Sequence, residues 1–204
     1  MGKLRAALYD AMNARFERAH GRELRRRQLA PARGAVLEIG GGTGANLPHY
    51  PATVERLVLS DPDAAMLDRA RRRRSEGAHD VELVAARAEA LPFADDAFDT
   101  VVTTIALCTV ADQAAALREI RRVLHPGGQL LFAEHVRAAD PKLARWQDRL
   151  ERPWGVIADG CHPNRDTLGA LEAAGFAVEV AEQGELPLVP RLVKPYIVGR
   201  AVVP

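Results

Sequence analysis

The residues best placed for chemistry begin with Glu38-Ile39-Gly40-Gly41-Gly42-Thr43-Gly44. They follow the apolar run Ala35–Ile39 directly, and glycines there let backbone approach a bound molecule where a Cβ would clash. Asp61 ends the next apolar run, about 20 residues past the loop, where a carboxylate accepts both hydroxyls of a ribose. Loop and acid together predict an adenosine-type cofactor cradled by Glu38, Gly40, Gly42, Thr43, Gly44 and Asp61. Gly40, Gly42 and Ala45 also satisfy the dinucleotide fingerprint G-x-G-x-x-G/A. Three features weigh against a nicotinamide cofactor. Glu38 extends the motif to E-x-G-x-G-x-G, no Tyr-x-x-x-Lys pair exists for hydride chemistry, and the chain is too short for a separate substrate domain.

A second group falls at the carboxyl ends of later apolar runs: Thr104, Cys108, Glu134 and His135, with His162 in a loop beyond. In a strand, neighbouring side chains point to opposite faces, so Glu134 and His135 divide between sheet and ligand. Glu134 reads as the buried, hydrogen-bonded member, which leaves His135 as the catalytic candidate. Cys108 reads as a packing residue. Cys161-His162 with Cys108 or His135 suggests a metal, but no Cys-x-x-Cys or His-Glu-x-x-His spacing is present, so no metal site is expected.

These groups need a scaffold. Short apolar runs at Ala35–Ile39, Leu57–Leu59, Val81–Ala85, Phe98–Ile105 and Gln129–Val136 read as buried parallel strands. Helical patterns separate them at Asp63–Glu76 and Gln113–Leu124, the second stopped by Pro126-Gly127-Gly128. That alternation predicts a doubly wound α/β sheet. Leu4, Leu8, Met12 and Phe16 form the apolar stripe of an N-terminal helix over 3–29, interrupted at Gly21. Lys142–Arg152 and Arg165–Ala174 read as helices, the latter capped by Asn164 and stopped by Gly175. Phe176–Glu182 and Leu192–Val203 are final strands without a helix between them, so they pair antiparallel. Arg25–Arg27 and Arg71–Arg74 read as solvated helix faces. Tyr9, Phe16, Trp146 and Trp154 are assigned to an apolar cover over a small substrate.

The 204 residues make a single domain: a helical lid over 1–30, a cofactor core over 33–136, and substrate-side helices with terminal strands over 137–204. A formal charge of +1 supplies no field for nucleic acid. Two cysteines exclude a disulfide scaffold and point to a reducing compartment, read as the cytoplasm. No run free of charged residues reaches the roughly 20 residues that span a bilayer.

The segments Val36–Gly44, Leu91-Pro92-Phe93, Phe98-Asp99 and Arg122–Gly128 resemble the motif series of class I S-adenosylmethionine-dependent methyltransferases. The resemblance implies a Rossmann-like seven-stranded sheet with its last strand antiparallel, and S-adenosyl-L-methionine as cofactor. It implies that Gly40–Gly44 lies under the methionine part, that Asp61 binds the ribose, and that Met66 flanks the adenosine. Where the family writes G-D-A-E-x-L-P-F, this chain has Arg87 for the acid. Arginine has no acceptor, so adenine falls to backbone around Ala88 or to Glu89. The segments Gly44–Pro51, Ala106–Val110, Glu134–Val136, Asp159–Thr167 and Pro195–Ile197 resemble a small methyltransferase-like subgroup that includes membrane-associated thiol S-methyltransferases. A small, rather apolar thiol is the acceptor this implies. The alternatives are a quinone or phenol oxygen or carbon, a lipid amine, or a cofactor-binding module without turnover. Weak peripheral contact with a membrane falls to the N-terminal helix.

Overall fold

The computed structural model describes residues 14–74 and 77–204. The sequence-predicted stripe at Leu4, Leu8 and Met12, together with Tyr9 and the helix end at Ser75 and Glu76, lies outside them. Seven strands form one sheet in the order β3-β2-β1-β4-β5-β7-β6. They are β1 (Gly34–Ile39), β2 (Val54–Ser60), β3 (Val81–Val84), β4 (Phe98–Thr104), β5 (Leu124–His135), β6 (Ala177–Glu185) and β7 (Pro195–Val202). The first five run parallel, and β7 runs antiparallel to both β5 and β6. Helices α1 (Arg22–Leu29), α2 (Ala64–Arg73), α3 (Gln113–Val123), α4 (Pro141–Ile157) and α5 (Thr167–Ala173) surround the sheet.

Strand alternation sorts the core. Leu37, Val101 and Leu130 pack with Leu117, Ile120 and Leu171 from α3 and α5, whereas their neighbours Val36, Val102 and Leu131 pack with Leu29, Leu67 and Ala70 from α1 and α2. Both faces of the central strands are therefore buried, the reason these strands read as continuous apolar runs. The order reverses between β1 and β4, and the crevice beyond their carboxyl ends is where such sheets bind ligands.

Several local readings change. Gly21 does not interrupt the N-terminal helix: it closes a π-turn over Glu17–Gly21 that leads straight into α1. A Cβ at Gly21 would meet the Glu17 carboxylate at 2.5 Å, so the missing side chain lets Glu17 fold back onto Arg25. The cap of α5 is Asp166, whose side chain accepts from the Gly169 amide; Asn164 instead donates to Asp148. β5 begins at Leu124, so Pro126-Gly127-Gly128 forms a bulge inside the strand rather than a separate turn. Helix α4 continues through Pro153 to Ile157.

One contact anchors α1 to the sheet. Gln28 is buried, donates to the Thr103 and Leu131 carbonyls and accepts from the Thr104 hydroxyl. Gln28→Leu keeps the volume and removes all three bonds. Urea unfolding is expected to show a loss of about 1–3 kcal/mol, the cost of buried polar groups left unmet.

Candidate active site

Beyond the ends of β1 and β4 lies a cleft of about 260 Å³. Its floor is Glu38, Gly40, Gly41, Gly42, Thr43 and Thr104; its rim is Ala14, Glu17, Arg18, Arg22, Arg25 and Arg73. Gly40, Gly42 and Gly44 adopt φ of +64°, +55° and +80°, backbone that glycine alone takes without strain. A Cβ at Gly42 would meet nothing nearer than the Gly40 carbonyl at 4.0 Å, so this position opens into the cleft. At Gly41 a Cβ would strike Leu59 at 2.3 Å, so that glycine serves packing on the sheet.

Asp61 is held by backbone. Its Oδ2 accepts from the Gly42 amide at 2.9 Å and its Oδ1 from the Asp63 amide at 2.8 Å. Burial raises its carboxyl above the ordinary value, against these two amides. Each oxygen keeps a further lone pair, so the carboxylate is aimed and still able to accept two hydroxyls. The glycine cradle and this carboxylate fit an adenosine-type cofactor.

Glu38 is the most constrained member of the floor. Its Oε1 accepts from Asn46 Nδ2 at 2.9 Å and its Oε2 from the Tyr50 hydroxyl at 2.8 Å. Burial pushes its carboxyl up to about 7, against the pull of Tyr50, Arg25 and Asn46. Of the other sequence-predicted contacts, Gly44 packs against Leu47 and Ala70, Met66 is buried at the start of α2, and the Ala88 side chain joins the main core. Glu89 Oε1 accepts from the Ala111 and Asp112 amides, tying the loop before α3, with Arg87 3.4 Å from its Oε2.

Two arginines read as solvated are in the cleft. Arg25 binds Glu17 at 2.7 Å and the Asn46 Oδ1 at 2.7 Å, and Arg73 donates to the Thr43 hydroxyl at 3.2 Å. Nothing in the sequence separates them from their exposed neighbours, because only the fold shows which side of each helix meets the cleft. Asn46 is fully buried and joins Glu38, Thr104 and Arg25, a role its position in a loop did not reveal.

The second group lies on the far side of the β4 end. Ile105 takes φ of +55°, a strained conformation for a β-branched residue. Glu134 Oε1 accepts from the next two amides, Ala106 at 3.2 Å and Leu107 at 3.1 Å, and so fixes that turn. Burial raises the Glu134 carboxyl to about 7, against those two amides. Glu134 is thus the hydrogen-bonded member of the pair, as the strand period requires.

His135 faces elsewhere than the cleft lining. It lies beside Cys108 and Cys161, all three buried, with one ligand-type atom from each within 4.8 Å of the others. Hydrogen bonding to Cys161, together with burial, raises the Cys108 thiol well up, and the same bond, with His135 and Trp154 beside it, brings Cys161 down to about 5. Thus the fold assembles residues whose spacing in sequence carries no metal-binding pattern. His162 is turned away, its Nδ1 2.8 Å from Glu151. The described members of the aromatic set, Phe16, Trp146 and Trp154, do not form one cover. Phe16 packs with Leu24, Leu186 and Tyr196; Trp154 covers the cysteines; Trp146 is exposed.

A doubly wound sheet with a glycine cradle and an aimed acid at its switch point defines a nucleoside-cofactor enzyme of the α/β class. The family follows from comparison with known proteins. Residues 37–132 match the model of a methyltransferase domain. Human thiol S-methyltransferase TMT1A is 37% identical over 172 residues, covering 82% of this chain and 70% of that protein. The ubiquinone/menaquinone biosynthesis C-methyltransferase UbiE of Hahella chejuensis is 36% identical over 152 residues, covering 70% of this chain and 61% of that protein. A solved structure from Thermotoga maritima, described as a SAM-dependent methyltransferase and possible histamine N-methyltransferase, superposes with a TM-score of 0.75. It is 22% identical and covers 99% of this chain and 98% of its own. The chain belongs to the S-adenosylmethionine-dependent methyltransferases. Among the described residues no helix is long and apolar enough to cross a membrane.

The raised carboxyl of Glu38 has a pH signature. The folded state holds this proton more tightly than the unfolded chain, so its contribution is most favourable at low pH. It is lost as pH rises from the ordinary carboxylate value to about 7. Glu38→Gln removes the titration while its amide still pairs with Asn46 and Tyr50. The parent should lose stability relative to this variant between about pH 4 and about pH 8, by on the order of 3 kcal/mol. Urea unfolding of both at the two pH values measures it; parallel slopes would show that Glu38 is ionised in the fold at little cost.

Proposed function

We propose that the chain transfers the methyl group of S-adenosylmethionine to the sulfur of a small, rather apolar thiol. The observation that carries this reading is the likeness to a thiol S-methyltransferase over 82% of the chain, well beyond the matched methyltransferase domain. The extra coverage includes segments that build the wall around Cys108, His135 and Cys161.

On this reading Glu38, Gly40, Gly42, Thr43 and Gly44 cradle the methionine part of the cofactor and Asp61 accepts from the ribose hydroxyls. Met66 and the backbone at Ala88 bound the adenine. Four rim arginines, Arg18, Arg22, Arg25 and Arg73, against Glu17 and Glu38 give the mouth a positive balance that suits a carboxylate. The bound cofactor supplies an electrophilic methyl on a sulfonium sulfur. The wall continues from Thr104 through Ile105–Cys108 and holds the thiol sulfur in line with that methyl. His135, which stands outside the cleft lining beside Cys108 and Cys161, is assigned the thiol proton once the acceptor sulfur reaches that cluster, because thiolate is the nucleophile and an ordinary thiol near pH 7 is mostly protonated. With the cofactor bound, the products would be a thioether and S-adenosylhomocysteine. Residues 14–29, which bring Ala14, Glu17, Arg18, Arg22 and Arg25 to the rim, are assigned the role of lid over the cleft, and peripheral membrane contact is assigned to the N-terminal helix. The working compartment is the cytoplasm, where both thiols stay free.

Three outcomes test this. Asp61→Ala is expected to weaken S-adenosylhomocysteine binding at least tenfold by calorimetry, about the value of a charge-assisted hydrogen bond. His135→Gln is expected to lower thiol turnover by at least about tenfold with cofactor affinity within about twofold, and to flatten the rate–pH profile between roughly pH 6 and 8. A labelled-methyl assay over thiols, phenols, quinols and amines should favour thiols. Turnover of quinols alone would replace the reading with carbon or oxygen methylation, which the likeness to UbiE favours. Cofactor binding with no turnover on any class would point to a binding module.

A further inference from the structure

We propose that Cys108, His135 and Cys161 form a binding site for a thiophilic divalent cation such as Zn²⁺. Three separated segments supply it: the loop after β4, the last residue of β5 and the turn after α4. Their ligand atoms lie within 4.8 Å of one another. Zinc binds sulfur at about 2.3 Å and imidazole nitrogen at about 2.0 Å, which places tetrahedral ligand atoms roughly 3.5 Å apart. Closing onto an ion therefore takes side-chain shifts of about 1 Å. Two sulfurs and an imidazole select zinc over magnesium or calcium, and zinc accepts this set with a fourth position left to water or a small ligand.

The imidazole supplies the independent observation. His135 is only 8% exposed, and among the described residues neither ring nitrogen has a partner at ordinary hydrogen-bond geometry; the group it interacts with is the Cys161 thiol beside it. Buried polar groups are normally satisfied, so a ring with two unmet nitrogens beside two thiols points to a missing ligand. An ion on one nitrogen meets half of the deficit and fixes the other nitrogen as a donor. The local charge also closes. Two thiolates balance the divalent ion, and the Arg165 guanidinium nearby is held on the Leu107 and Val110 carbonyls. Ile105, Trp154 and Val193 pack around the sulfurs and keep bulk water from competing. A ring nitrogen that holds the ion takes no proton, so the ion-loaded and proton-accepting forms of His135 exclude each other.

The chain has two cysteines and both are in this cluster, so a thiolate-to-cobalt charge-transfer band can arise only here. The test titrates the reduced full chain with Co²⁺ alone and then with Zn²⁺, and measures metal per chain after desalting. One ion per chain, a near-ultraviolet thiolate band and its bleaching by Zn²⁺ are expected. Cys161→Ser and His135→Ala should each weaken Co²⁺ binding by more than about tenfold. S-adenosylhomocysteine affinity serves as the check that each variant folds. A thermal melt of the parent gives a readout free of substitutions: Zn²⁺ should raise the midpoint and Mg²⁺ should not. Absence of the thiolate band, or binding unchanged in Cys161→Ser, overturns the site. The outcome is separable from the thiol reading, since ion binding is measured without acceptor or turnover.

Discussion

A buried hydrogen-bond chain centred on Asn46 sets the geometry on which the site depends. Arg25 donates to the Asn46 carbonyl; the Asn46 amide donates to Glu38 and Thr104; Tyr50 closes on the other Glu38 oxygen; and Thr104 passes the chain to Gln28. These residues come from α1, β1, β4 and the 46–50 segment, so one network fixes the mutual position of all four. Such a network rigidifies only if its members are satisfied, because in a low-dielectric interior an unmet polar atom costs more than a met one gains. The glycine loop runs across it. Its backbone is free to take positive φ, yet the elements before and after it are locked, which makes a cradle that is open and stiff at once.

The same physics appears at the end of β5. Ile105 stays in a strained conformation because Glu134 fixes the two following amides from below and the Ala133 carbonyl accepts from Ile105 itself. Strain of this kind persists where the surroundings over-determine it. It redirects the chain out of the sheet so that Cys108 reaches His135 and Cys161. The raised carboxyls of Glu38 and Glu134 are the cost of placing charged groups where loop backbones need acceptors.

The strand–helix alternation, the glycine cradle, Asp61 and the antiparallel end of the sheet were legible in the sequence, because each rests on a local signal: a period, a glycine cluster or an acid after an apolar run. Glu134 as the buried, hydrogen-bonded residue was also legible, whereas His135, expected to face the ligand, is buried beside Cys108 and Cys161. What was not legible depends on long-range placement. Arg25 and Arg73 look like any basic helix face until α1 and α2 are docked. Asn46 and Gln28 look like loop and surface residues until the sheet passes beneath them. Gly21 reads as a breaker by propensity, whereas tertiary packing of Glu17 on Arg25 keeps the helix continuous. The cluster of Cys108, His135 and Cys161 has no sequence spacing to read, since its members meet only after β4, β5 and α4 are assembled.

The two halves of the site therefore carry different information. On the proposed function the cofactor half is built from β1, β2 and the loop between them, where recognition would fall to backbone and one carboxylate, and backbone looks alike in any chain with this topology. The acceptor half is built from the strained turn after β4, the end of β5 and the turn after α4, where side chains line the space. A solved structure with a TM-score of 0.75 and 22% identity over 99% of this chain shares the fold of both halves, and a shared fold does not fix the side chains that line the second. On the proposed function, acceptor choice falls to a few side chains: Ile105 by its forced conformation, Trp154 by its cover over the sulfurs, and His135 beside them. Ile105 and Trp154 pack against the same cysteine cluster that His135 adjoins, so a change at one alters the setting of the others, and the preference would then belong to the cluster rather than to any single member.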